Sequence, residues 1–220
     1  MSDEVRTKVT VQQRSDSFAS GAQPYTSATE TGAVRVSAGE PQYADACRAG
    51  RVYCISTAAG TAKAPVTSIG TTTAAFALWN GNAASTKYNL EIIEVVAFLV
   101  SGTAGSTGSS MMAGLSSAAQ ASAVSAYAGV IGPKSMSSST TRTSAAILGG
   151  AITLAGAPVW RHIGGIQTAP VDGGCIVADL KGSIVVPPQF ACGFTILSTA
   201  GTTPLWGWTI TYIEQQGTLG

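Results

Sequence analysis

From residue 50 onward the chain alternates apolar and polar positions in short runs, broken by clusters of Gly, Ser, Thr, Asn and Pro. Such period-two runs predict strands, because successive strand side chains point to opposite faces. The first is "GRVYCIST", residues 50–57, where Val52, Cys54 and Ser56 alternate with Tyr53, Ile55 and Thr57. "TTTAAFALWNGN", residues 71–82, predicts a strand ending in the turn Asn80-Gly81-Asn82. "KYNLEIIEVVAFLVSG", residues 87–102, is the richest in β-branched residues. Simple alternation sets Leu90, Ile92, Val96 and Phe98 against Ile93, Val95, Ala97 and Leu99. Two apolar faces predict a central strand covered on both sides.

Residues 111–129, "MMAGLSSAAQASAVSAYAG", predict a strand running into a loop or a short helix, since alanine favours helix and the serines oppose it. "PKSMSSSTTRTS", residues 133–144, reads as an exposed polar loop. Residues 144–168 predict two strands around Gly149-Gly150, and residues 173–186 two short strands around Lys181-Gly182. "FACGFTILS" and "PLWGWTITYIE" close the series, with Trp206, Trp208, Ile210 and Tyr212 on one face of the last strand. Between residues 173–186 and "FACGFTILS" stands Pro187-Pro188. Neither proline donates to a ladder, so the pair ends one strand and forces a turn or a change of sheet before the next. Eight or more short strands without βαβ alternation predict an all-β sandwich or barrel.

The first residues differ. Seven of the 12 basic and six of the 11 acidic side chains precede Pro65. Residues 1–45 are polar with no sustained period and read as an extended N-terminal arm, leaving residues 46–220 for the sandwich. Charge refines the picture further. Only 10% of the 220 residues are charged, the net charge is +1, and 45% are hydrophobic. Ordinary globular chains carry about 25% charge, so this composition suits a protein held in an assembly. No basic run marks a nucleic-acid face. The start lacks the apolar stretch of a secretory signal. "IIEVVAFLV" falls short of the ~20 residues of a membrane helix. Synthesis in a cytoplasm is expected, without a membrane. Cys47, Cys54, Cys175 and Cys192 show no CxxC spacing and are expected to be buried, reduced thiols.

Candidate chemistry is sparse. His162, the only histidine, has no G-x-S-x-G serine to serve and reads as a packed or interface residue beside Trp160. Glu91 and Glu94, three apart on a strand, are expected on opposite faces, unlike the paired carboxylates of a glycosidase. Glu214 with Asp172 or Asp179 is the remaining carboxylate combination. There is no zinc spacing, no phosphate-binding loop and no dinucleotide motif, so no cofactor and no enzymatic activity are expected. Trp79, Trp160, Trp206 and Trp208 suit a core, a subunit interface or a sugar-binding face.

Residues 75–215 carry a further pattern. A strand ends in Asn80-Gly81, a long apolar strand follows, "VPP" makes a turn with Gln189 where glycine is usual, and the last strands close in "STAGT" and Tyr212-Ile213-Glu214. This resembles the jelly-roll decoration (cement) or head-fibre-like proteins of tailed-phage virions. The resemblance implies a jelly-roll-like β-sandwich, a virion location, and the major capsid protein or other virion proteins as partners. Because that family is commonly trimeric, it also implies a homotrimer. Trp160, His162, Trp206, Trp208 and Tyr212 are the candidate subunit or partner interface. The alternatives are a tail-associated module recognising host surface glycan and a β-sandwich glycan hydrolase.

Overall fold

In a computed structural model, residues 43–58, 61–70, 72–137, 141–167, 174–199 and 201–216 are described. The expected arm falls outside them as far as residue 42, and the compact unit begins at Tyr43. One short helix, α1 (Ala44–Arg48), precedes ten strands. These are β1 (Val52–Thr57), β2 (Thr73–Asn80), β3 (Tyr88–Thr103), β4 (Ser109–Leu115) and β5 (Val130–Ser135). They continue with β6 (Ala146–Thr153), β7 (Val159–Ile166), β8 (Cys175–Val186), β9 (Ala191–Ser198) and β10 (Thr202–Gln216). The fold is an all-β sandwich of two five-stranded antiparallel sheets, ordered β5-β1-β10-β3-β8 and β6-β2-β9-β4-β7.

Apolar side chains from both inner faces meet between the sheets. Trp206, Trp208, Ile210 and Tyr212 of β10 do share one face, and it is the inner one. Trp208 lies 6.0 Å from Phe194 and 6.3 Å from Phe76 of the facing sheet, ring centre to ring centre. At Pro187-Pro188 the chain leaves β8 in the first sheet and enters β9 in the second. The turn closes where the Phe190 N–H donates to the Pro187 carbonyl at 3.1 Å, a position where the prolines cost no ladder bond.

Four local readings of the sequence are corrected. In β3 a bulge at Ile93 breaks the alternation, since Ile92 pairs with Tyr212 and Glu94 with Thr211. Inner positions therefore run Leu90, Ile92, then Val95, Ala97 and Leu99, while Val96 and Phe98 turn outward. Among the described residues, the outer face of β3 is covered at one end, where Tyr43, Ala46 and Cys47 pack on Val52, Ile93 and Ile213.

β6 runs straight through Gly149-Gly150. Those glycines admit other side chains: Val124 packs where a Gly149 Cβ would stand, and Tyr127 where that of Gly150 would. The polypeptide breaks instead between Thr153 and Val159, before Pro158. Lys181 and Gly182 (φ 48° and 79°) kink a single strand β8 rather than dividing two. Finally, Pro133-Lys134-Ser135 belong to β5, which pairs with β1 at the edge of the first sheet. An edge is where a strand tolerates proline. Residues 116–129 are irregular with no helix, and β4 ends where the apolar alternation stops.

Candidate functional site: a hydroxyl-lined cleft at the end of the second sheet

The five interface candidates separate into two groups. Trp206 and Trp208 are 1% exposed and Tyr212 is 0% exposed within one chain. They belong to the intersheet core and have no surface to offer a subunit, so the reading of these three as an interface is corrected. Phe76 and Phe194 of the facing sheet pack in the same core cluster.

Trp160 and His162 lie instead on β7, outside the core. Trp160 pairs with Gly114, which pairs in turn with Gly193. Its indole lies across both glycines, 3.0 Å from where a Gly114 Cβ would be and 3.3 Å from that of Gly193. It half-covers an outer cluster of Ala74, Trp79 and Leu154, and its Nε1–H is buried without an acceptor.

His162 is exposed and lines a cleft of about 520 Å³ where β4 begins and β7 and β9 end. Two features fix its place. A bulge at Ile163 lets Met112 pair with His162 and Met111 with Gly164, which turns the imidazole outward. Gly165 then leaves room for the ring, because an added Cβ would sit 3.1 Å from His162 Nε2.

The other walls come from loop and strand ends: Thr67, Thr107, Ser110, Gln167 and Thr199 supply polar side chains, and Ile166 and Leu197 apolar ones. At the inner rim the Ser109 hydroxyl donates to Ser198 Oγ at 3.1 Å, and the Ser198 hydroxyl to the Gly108 carbonyl at 3.2 Å. Thr107 and Thr199 share a hydrogen bond at 3.0 Å. Gly108, at φ 89°, passes so close to the Ile166 carbonyl that no other residue fits. Among the described residues no Asp, Glu, Lys or Arg lines the cleft. One row further along the same outer face, Thr195 pairs with Met112. It is 2% exposed and its hydroxyl has no partner.

The carboxylates fall elsewhere. The β3 bulge brings Glu91 and Glu94 to the same outer face, opposite Ile213 and Thr211, which corrects the expectation of opposite faces. Asp179 pairs with Glu94 on that face and lies 3.6 Å from Lys181. Burial, then Asp179 and Glu91, hold the Tyr43 phenol above its usual range. Glu214 is buried at the other side of the sheet, accepts from Asn82 Nδ2, and lines a recess of about 170 Å³ with Tyr53, Tyr88 and Arg142. Glu214 and Asp179 are thus not brought together, and Asp172 lies outside the described residues. Burial pushes the Tyr53 phenol up, with Glu214 adding to it.

All four cysteines are free, but only Cys192 is fully buried and Cys175 is exposed, which corrects the expectation of four buried thiols. Among the described residues no group of three His, Cys, Asp or Glu is placed to hold a metal ion. Among them, too, no helix is long and apolar enough to cross a membrane.

Sequence reasoning found His162 but not its setting. "GSTGSS", residues 105–110, fails as a G-x-S-x-G elbow, yet it supplies Thr107, Gly108, Ser109 and Ser110 to the cleft. Hydroxyl residues scattered over three strand ends carry no spacing signal. No family model matches the chain, and no match is found among curated proteins or solved structures.

Proposed function

We propose that the chain is a virion structural protein, a decoration or cement protein whose sandwich is a jelly roll adhering to a capsid lattice. The strand order carries this reading. Without the added edge strands β5 and β6, the sheets are β1-β10-β3-β8 and β2-β9-β4-β7. Consecutive strands of that set alternate between the sheets except β4 and β7, which pair as neighbours in the second, as in the double Greek key of a jelly roll. The resemblance over residues 75–215 names the same fold and supplies the capsid as partner.

Adhesion in such a protein is contact chemistry. Val159 is 85% exposed, Met136 59%, and Ile131 and Val177 54% each. Apolar residues of this kind, on a chain with 10% charge, suit many modest contacts summed over a lattice. A homotrimer belongs to the same proposal, supported now by outward-facing aliphatic residues and no longer by Trp206, Trp208 and Tyr212.

Copy number in a purified particle tests the reading. A cement protein is present on the order of hundreds of copies, as lattice multivalency requires. A few copies at a tail would reassign it to the host-recognition module. Absence from the particle would remove the virion role.

A further inference from the structure

We propose that the cleft around His162 binds an uncharged carbohydrate. The proposal stands on the cleft alone and holds or fails independently of the virion reading.

Size is the first argument. At about 520 Å³ the cleft lies within the roughly 300–1,000 Å³ of small-molecule sites. The lining identifies the ligand class. Thr67, Ser110 and Thr199 present hydroxyls, Gln167 an amide and His162 an imidazole, and among the described residues that line the cleft there is no Asp, Glu, Lys or Arg. An ionic ligand entering here would give up hydration with no carboxylate, lysine or arginine among the described lining residues to replace it. A nucleotide or phosphorylated group would meet no lysine or arginine among the described lining residues.

A sugar matches on both counts. Each serine or threonine hydroxyl donates one hydrogen bond and accepts others, as does each sugar hydroxyl. Ile166 and Leu197 supply apolar surface for the C–H faces of the ring. Part of the rim is set before any ligand arrives. Ser109, Ser198 and the Gly108 carbonyl hold one another, and Thr107 holds Thr199. Fixed partners lower the ordering cost of binding. Gly165 gives the imidazole its place at the opposite wall. Thr195, one row inward on the same face, keeps a buried hydroxyl without a partner, the kind of group that a ligand or a bridging water satisfies.

The experiment is an amide NMR titration of the full chain with lactose, maltotriose and chitotriose, beside a printed array of neutral glycans. Sialyllactose serves as the charged comparator and glycerol as the non-specific polyol. At least one neutral sugar is expected to give saturable shifts at Gly108, Ser110, Gly165, Gln167 and Thr199. His162→Ala is expected to weaken that sugar about tenfold, the scale of one strong hydrogen bond. Ser110→Trp fills the cleft from a half-buried outward position and is expected to abolish binding. Unchanged thermal melts of both variants show that the fold is intact. A flat response across the titration and array overturns the proposal. So do shifts elsewhere on the chain, sialyllactose binding more tightly than lactose, glycerol giving the same shifts, or Ser110→Trp binding like the parent.

Discussion

Gln189 sits at φ 68°, in the left-handed region that favours glycine. Its side chain explains how it is kept there. Nε2 donates to the Asn82 carbonyl at 2.7 Å, while the Gln189 carbonyl accepts from Trp79 Nε1 at 3.1 Å. The amide thus ties the Pro187-Pro188 turn to the Asn80-Gly81-Asn82 turn. Gln189→Gly relieves about 1 kcal/mol of strain and loses a hydrogen bond of similar worth, so urea denaturation is expected to show a change below about 1 kcal/mol. Gln189→Val keeps the strain, adds a branched Cβ and loses the bond, and is expected to cost about 2–3 kcal/mol. A second residue governs alkaline behaviour. Burial pushes the Cys192 thiol from 9.0 up to about 12, and burial also raises Tyr212, Tyr53 and Cys54. All are neutral acids whose folded pKa exceeds the unfolded one. Their contribution is complete below about pH 9 and is lost as pH rises, because the unfolded chain releases the protons first. Stability is expected to be level from pH 7 to 9 and to fall between 9 and 12, with Cys192 alone accounting for up to about 4 kcal/mol. Cys192→Ala, less stable at pH 7, is expected to show a shallower fall; an equal slope would assign the loss to the tyrosines.

At the scale of elements, β3 shows why some positions are readable and others not. The run predicts its strand, yet Ile93 adds a residue without leaving a mark in composition, so every inner position after it shifts by one. The consequence is measurable. Val95→Thr, which buries a hydroxyl between the sheets, is expected to lower stability by about 2 kcal/mol. Val96→Thr, on the outer face, is expected to change it by less than about 0.5 kcal/mol. Equal costs would place both residues alike and remove the bulge. The same physics limits the other readings. Period two and prolines announce β1, β2, β9, β10 and the change of sheet at Pro187-Pro188, because these are local properties. Gly149-Gly150 looks like a break because glycine's local preference is for turns; here it answers to Val124 and Tyr127, more than twenty residues earlier in the chain. The cleft is harder still. Its residues come from the loop before β2, the start of β4 and the ends of β7 and β9, which only the tertiary fold assembles. Of its members, His162 alone stood out, through being the single histidine.

For the whole molecule, the proposed homotrimer needs a surface on which to form. The core closes within one chain, so Trp206, Trp208 and Tyr212 give no reason to assemble. A different surface does. On the outer face of the first sheet, Val96 pairs with Val177 and Phe98 with Cys175, a band beyond the reach of Tyr43, Ala46 and Cys47, which cover Ile93 at the other end. Gly207, opposite Phe98 on β10, adds no bulk of its own. A contact that buries this band between copies stabilises each chain by removing apolar area from water, and closed rotational symmetry keeps it from propagating into fibres. The number three belongs to the proposal and rests on the resemblance alone. Light scattering on the purified chain is therefore expected to give three times 22.1 kDa, about 66 kDa. Val177→Glu, on an exposed position that no core residue depends on, is expected to yield a folded monomer, since one buried unpaired charge per subunit disfavours the contact by several kcal/mol. Trp208→Ala is expected instead to cost about 3–5 kcal/mol of folding stability while any chains that fold still associate. A parent chain that runs as a monomer at micromolar concentration would remove the trimer. A trimer indifferent to Val177→Glu would move its interface to the exposed Val159 end of β7.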